Sequence, residues 1–370
     1  MRTHVVSDLH LGSRTGVDVL RRPEALDALC ARLAGVDRLV VLGDALELRH
    51  GPPREALAAA APVLQAIADA LGEHEVILVP GNHDHRLIAP WLEARGEEGA
   101  PPPLGLEDRP GPAASPTTAR IGELLAPAHL EVAYPGLWLG DDVYATHGHY
   151  LDRHTTIPSF ERLAAGALAR FLGSPPAAAT RPDDYELVLA PLYALLDTVA
   201  DQAGDGRGAA PQTASSRAWE LLSSDGRRPW HGRLLAGAFP LGVGALNRAG
   251  IGPLRSDLSG AELRRAGLRA MADVAERLGL GARHVLFGHT HRAGPLPGDD
   301  LSEWILPTGG RLLNTGCWVY EDMYLASAGS ESPYWPGSAV LLEDGAPPRQ
   351  LRLLEHVPAS SLTPEEPRPG

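Results

Sequence analysis

The runs HVVS (4–7), RLVVLG (38–43) and EVILVPG (75–81) are short, continuous and apolar, and two helical patterns separate them, RPEALDALCARLAG (22–35) and PREALAAAAPVLQAIADALG (53–72). A strand without polar alternation has to bury both faces. Strand, helix and strand within about 30 residues is the signature of a βαβ unit, whose strands run parallel. VYATHG (143–148) and HVLFG (284–288) have the same shape, and RLLNTGCWV (311–319), SAVLLE (338–343) and QLRLLE (350–355) return to strand patterning near the end. The chain is therefore expected to be α/β, with a mainly parallel sheet covered on both faces. In such sheets ligands gather at the carboxyl ends of the strands.

Two stretches interrupt this pattern. Residues 96–117 are dense in Pro and Gly and are expected to form a long surface loop. Residues 151–280 carry almost no strand signal and instead show amphipathic patterns at SFERLAAGALARFLG (159–173), YELVLAPLYALLDTVAD (185–201), SRAWELLSS (216–224) and GAELRRAGLRAMADVAERLG (260–279). The expected organisation is a core domain begun by residues 1–150, interrupted by a helical insertion or lid over 151–280, completed by 281–356, and followed by a disordered tail, 357–370. Phe160, Phe171, Trp219 and Trp230 in the insertion either receive an apolar tail or pack helices together.

A formal net charge of −13 argues against nonspecific nucleic-acid binding, because a phosphate backbone wants a basic surface. The chain has no lysine, so arginine supplies every fixed cation of its side chains. The two cysteines, Cys30 and Cys317, make no disulfide framework, and the start MRTHVVSDLHLG lacks an apolar signal segment, so a cytoplasmic location is expected. The longest apolar stretch, 234–254, contains glycines, a proline and Arg248, so no membrane-spanning helix is expected. A buried segment or a surface in peripheral contact with a membrane both stay open for it.

The strand ends carry the chemistry. The first run is followed by Asp8 and His10, the second by Asp44 and Glu47, the third by Asn82, His83 and Asp84, the fourth by His147 and His149, and the fifth by His289 and His291. Any one of these clusters could be a turn or a helix cap. Five in succession, each closing an apolar strand with Asp, Asn or His, point to one metal site assembled from several loops. Imidazole and carboxylate without thiolate suit Mn, Fe, Zn, Co or Ni, of which Mn is favoured here. A single aspartate can bridge two ions; in two-metal sites these sit ~3.5–4 Å apart and clamp a phosphoryl displacement.

The ordered blocks DLH (8–10), GDALE (43–47), GNHD (81–84), THGH (146–149) and GHTH (288–291) resemble those of the calcineurin-like metallophosphoesterase superfamily, and LLNTGCW (312–318) is similar to its closing strand. The resemblance implies a four-layer α/β/β/α sandwich and a hydrolase that uses water activated by two divalent metals. It implies that Asp8, His10, Asp44 and His291 hold one ion, and that Asp44, Asn82, His147 and His289 hold the other. His83 would act at the leaving group, oriented by Glu47, and Asp84 would be either a cap or part of the catalytic surroundings. Arg86, His149 and Arg292 are candidate substrate contacts, with surface ion pairing or plain solvent exposure as the alternatives.

In motif style the chain is most similar to the branch of UDP-2,3-diacylglucosamine pyrophosphatases, which also carry a helical lid after the fourth block. It departs from that branch in having His83 where Arg is frequent, His149 where Asp is found, and a longer insertion. The expected partner is a phosphorylated small molecule or a lipid-linked substrate. A nuclease or nucleotide phosphodiesterase is the alternative within the superfamily. A metal-bearing scaffold without turnover is the alternative from another class.

Overall fold

The computed structural model describes residues 1–97, 101–174, 178–203, 242–257, 259–325 and 328–363. The first sheet has the order β11-β10-β1-β2-β3-β5, from β1 (Arg2–Val6), β2 (Arg38–Leu42), β3 (Glu75–Val79), β5 (His129–Val132), β10 (Ser338–Glu343) and β11 (Arg349–Arg352). The second has the order β4-β6-β7-β8-β9, from β4 (Glu107–Asp108), β6 (Tyr134–Trp138), β7 (Val143–Thr146), β8 (His284–Phe287) and β9 (Arg311–Asn314). Neighbours within β1-β2-β3-β5 and within β7-β8-β9 run parallel, whereas β10 and β11 on one side of the first sheet and β4 and β6 on one side of the second pair antiparallel.

The period-two geometry of each strand sorts its side chains into layers. Val5, Val40, Leu42, Ile77 and Val79 of the first sheet meet Leu137, Ala145, Leu286 and Leu313 of the second in one apolar core. The alternate residues Val6, Leu39, Val41, Val76 and Leu78 face the other way, onto α1 (Pro23–Leu33), α2 (Pro53–Leu71) and α4 (Pro116–Leu125). Tyr144, Val285, Phe287 and Leu312 likewise face Met271, Val274 and Ala275 of α7 (Gly260–Arg277), with α5 (Phe160–Phe171) and α6 (Pro182–Ala203) in the same cluster. The result is the expected α/β/β/α sandwich. Proline opens α1 and α2, where its missing N–H costs nothing.

Several expectations needed correction. The Pro/Gly-rich stretch contains the two-residue strand β4, and α3 (Ala89–Glu97) runs into its start. Strands β5 and β6 were not foreseen. β5 is an edge strand with two of its four residues exposed, and β6 carries Pro135 and Gly136, which read as strand breakers. Helix α7 lies in the expected insertion, yet it packs on the second sheet as the fourth layer. The tail was expected to be disordered from 357, but Ala359–Ser361 form a 3-10 turn and Leu362 is buried in the first core. Phe171 is 84% exposed and is not packed into a helix interface among the described residues. Trp219, Trp230 and the pattern at 216–224 lie outside the described residues.

Candidate metal centre

The loops after β1, β2, β3, β7 and β8 meet at one place, and all seven candidate ligands are there. His291 Nε2 lies 3.3 Å from Asp8 Oδ1 and 3.2 Å from His10 Nε2. Asp44 Oδ2 stands between two groups, 3.6 Å from His10 Nε2 and 3.3 Å from His147 Nε2. Asn82 Oδ1 lies 3.1 Å from His147 Nε2 and 3.0 Å from His289 Nδ1. The donor atoms of Asp8, His10 and His291 fall within 4.8 Å of one another, and so do those of Asp44, His147 and His289.

The backbone is strained where it delivers these groups. Among the described residues the non-glycine positions with positive φ are Asp8 (55°), His10 (46°), Asp44 (51°), His289 (66°) and His291 (58°). Each is a candidate ligand. Such conformations cost on the order of 1–3 kcal/mol apiece and persist only where surrounding contacts over-determine them. Here Asp8 N–H donates to Gly43 O at 3.0 Å, His10 N–H to Asp44 O at 2.8 Å, and His289 N–H to Asp8 Oδ2 at 3.0 Å. Close approach adds a second constraint. A Cβ on Gly81 would stand 2.3 Å from Asp44 Oδ1, and one on Gly288 would stand 2.4 Å from Asp8 Oδ2.

Behind the rings, acceptors fix the nitrogens that turn away from the centre. Glu47 Oε2 is 3.0 Å from His10 Nδ1, and the backbone carbonyl of Leu42 is 2.9 Å from His147 Nδ1. Glu47 also grips His83 Nδ1, at 2.9 Å from Oε2 and 3.1 Å from Oε1. Asp152 Oδ1 lies 3.1 Å from His289 Nε2. These partners leave His10 Nε2, His147 Nε2 and His289 Nδ1 aimed inward. The Asn82 amide has two readings: with Oδ1 inward it is a cation ligand, whereas reversed it donates to both imidazoles and accepts from Arg49 at 3.3 Å.

The charge balance fits divalent cations. Asp8, Asp44 and Glu47 are at most 3% exposed and form no ion pair with an arginine among the described residues. Buried carboxylates need compensation. Without an ion it falls to the histidines: burial pulls His10 and His147 down, but Glu47 and Asp44 carry His10 up to about 10 and Asp44 carries His147 up to about 9. Burial would raise Asp44, and the surrounding imidazoles hold it well below the usual carboxylate range. The nitrogen and oxygen donors present are those that Mn, Fe, Zn, Co or Ni accept.

The family model for calcineurin-like phosphoesterases matches residues 1–223. The chain belongs to the calcineurin-like phosphoesterase family. Among solved structures, a dimetal phosphatase from Danio rerio is similar at 11% identity and a TM-score of 0.32, with 95% of this chain and 99% of that chain covered. No curated protein matches the chain. This phosphoesterase is thus a metal-dependent hydrolase of phosphoester bonds, and its fold brings the family's ligand types together at one centre.

Not every candidate of this phosphoesterase reaches the centre. Asp84 is fully buried and accepts from the backbone N–H groups of Gly81 (2.6 Å), Ala45 (2.7 Å), Asp44 (3.3 Å) and Leu46 (3.3 Å), so it clamps two ligand loops together instead of taking part in chemistry. Arg86 forms a two-pronged ion pair with Asp201 of α6 at 2.8 and 2.7 Å and does not line the cleft. His149 is buried behind His147, with Nε2 3.3 Å from the Tyr134 hydroxyl, and is not a substrate contact. Arg292 does line the cleft, but Asp299 holds its guanidinium at 2.6 Å.

Sequence reading missed Asp152 and Arg49. Asp152 lies on the 3-10 turn His149–Arg153, five residues beyond His147 and outside any recognised block. Arg49 lies over the Tyr193 ring at 5.3 Å and pairs with Glu161 at 3.4 Å, partners that only the packed α5 and α6 supply. A cleft of about 560 Å³ opens from Asp44, Asn82, His83, His289 and His291 toward Leu151, Ile157, Phe160, Leu263, Leu268 and Trp304. Phe160 therefore faces the cleft.

Proposed function

We propose that this phosphoesterase hydrolyses a phosphorylated small-molecule or lipid-linked substrate at a dinuclear centre held by Asp8, His10, Asp44, Asn82, His147, His289 and His291, with Asp44 shared between the ions. Bound there, two divalent cations, with Mn favoured, would supply Lewis acidity and an activated water. The protein's own part is positioning and proton transfer. Glu47 binds His83 through Nδ1, so Nε2 is the nitrogen left to meet the leaving group. Burial pushes the His83 imidazole down despite Glu47, and an arriving phosphoryl anion would raise it again toward the protonated form that a general acid needs.

The observation that carries this reading is the place of Asp44 Oδ2, at 3.3–3.6 Å from imidazole nitrogens of both ligand groups. The cleft supports an apolar substrate moiety, because away from Asp44 and Asp152 its charged side chains are already engaged: Arg264 with Glu303 at 2.8 Å, Arg292 with Asp299, Glu161 with Arg49. We read α5, whose Phe160, Glu161 and Leu163 line this cleft, as the lid over it, and the free cysteines Cys30 and Cys317 fit a reducing, cytoplasmic setting.

The test is Asp44→Asn, assayed on p-nitrophenyl phosphate and bis(p-nitrophenyl) phosphate after Mn²⁺ loading, once wild-type turnover is established. We expect loss of turnover by at least about 10³-fold on whichever ester the wild type accepts. Near-normal turnover by the variant would sink the shared-ligand role.

A further inference from the structure

The structure assigns Asp152 a task that no motif predicted: we propose that it is a positioning residue for the second ion, acting through His289. The inference rests on the dinuclear reading above. His289 has one nitrogen on each side of its ring. Nδ1 turns inward, 3.0 Å from Asn82 Oδ1, and Nε2 turns outward, 3.1 Å from Asp152 Oδ1. Asp152 is 5% exposed, so this contact is shielded from water.

Three features argue that the contact orients the ring. First, it matches what two of the other rings have: His10 is backed by Glu47 and His147 by the Leu42 carbonyl. An imidazole whose outer N–H is donated to a carboxylate has a fixed tautomer and a more basic inner nitrogen. Second, His289 is the one hydrogen-bonded partner of Asp152 among the described residues, although the buried Arg162 guanidinium is near enough to feel its charge. Asp152 Oδ2 is buried without a hydrogen-bond partner, and the residue forms no ion pair with an arginine among the described residues. A carboxylate buried on one hydrogen bond is costly unless that partner carries positive charge, and a cation-bound imidazole does so. Third, His289 stands in the left-handed region at φ 66°, a conformation that persists only where surrounding contacts hold it.

The location adds a consequence. Asp152 sits on the turn that leads from the β7 loop toward α5, and it lines the cleft beside Asn82, His83 and His289. The segment that covers the cleft therefore also contributes the residue that holds one ligand of the second ion.

The test is a stepwise Mn²⁺ titration of the metal-stripped full chain by calorimetry, with elemental analysis of the product, for wild type, Asp152→Ala and Asp152→Asn. Asn keeps an acceptor at the ring without the charge. The expected result is two ions in the wild type, affinity for one of them reduced about 10–100-fold in Asp152→Ala with the other unchanged, and partial recovery in Asp152→Asn. The melting temperature of the metal-free protein should be the same in all three. Two ions bound by Asp152→Ala as tightly as by wild type would overturn the assignment, and so would an equal weakening of both ions accompanied by a lower metal-free melting temperature. A wild type that takes up fewer than two ions would sink the dinuclear reading itself, and this one with it.

Discussion

Glu47 grips His83 with both carboxylate oxygens, 2.9 and 3.1 Å from Nδ1, and the same carboxylate reaches His10 Nδ1 at 3.0 Å. One buried acid thus orients a candidate ligand and the candidate proton donor together. Burial would raise its carboxyl, but His83 and His10 hold it well below the usual range, so it stays ionised. His83→Ala should keep both metal ions by elemental analysis and lose about 10²–10⁴-fold in kcat. Glu47→Gln should lower both kcat and the affinity for the ion that His10 binds. Loss of metal in His83→Ala would reassign that histidine as a ligand.

The paired charges in the cleft predict a preference for an apolar alcohol over extra phosphates. Along ethyl, butyl and octyl phosphate, kcat/KM should rise, by up to about fourfold per buried methylene. ADP and ATP should be poorer substrates than octyl phosphate. A flat series, or a preference for the nucleotides, would discard the apolar reading while leaving the hydrolase intact.

Acid should destabilise the protein through His4, which is no part of the candidate metal centre. Its ring is 1% exposed, and neither nitrogen has a hydrogen-bond partner among the described residues. Burial, reinforced by Arg2, Arg32 and Arg349, lowers it to about 4. The unfolded chain takes up this proton as pH falls through ~6.5, whereas the folded chain resists until about 4. Stability present above ~6.5 is therefore lost progressively down to about 4, by up to ~3 kcal/mol. In urea titrations at pH 7 and pH 4.5, His4→Leu should gain on wild type as pH falls. A constant difference between the two proteins would refute this.

The convergence of the candidate ligands was legible before folding because each follows an apolar strand at once, and parallel strands bring their carboxyl ends to one edge. Asp84 and Arg86 show where that logic stops. Both neighbour the third block, yet one turns into backbone amides and the other toward Asp201, 115 residues on. Helix α7 was legible as a helix but not as a layer, since its amphipathic pattern does not say which surface it covers.

The sequence by itself determined the strand–loop rhythm, the chemical types at the strand ends and hence the class of reaction. Local order along the chain encodes these directly, through burial periodicity and donor identity. Only the tertiary structure decided which polar side chain faces the cleft, which one faces the backbone, and that Asp152 backs His289. Those choices depend on contacts between segments 40 to 137 residues apart, such as Asp44 with Asp84 and Asp152 with His289. No local pattern records them, because the energy that selects them appears only when the two sheets close on each other and exclude water.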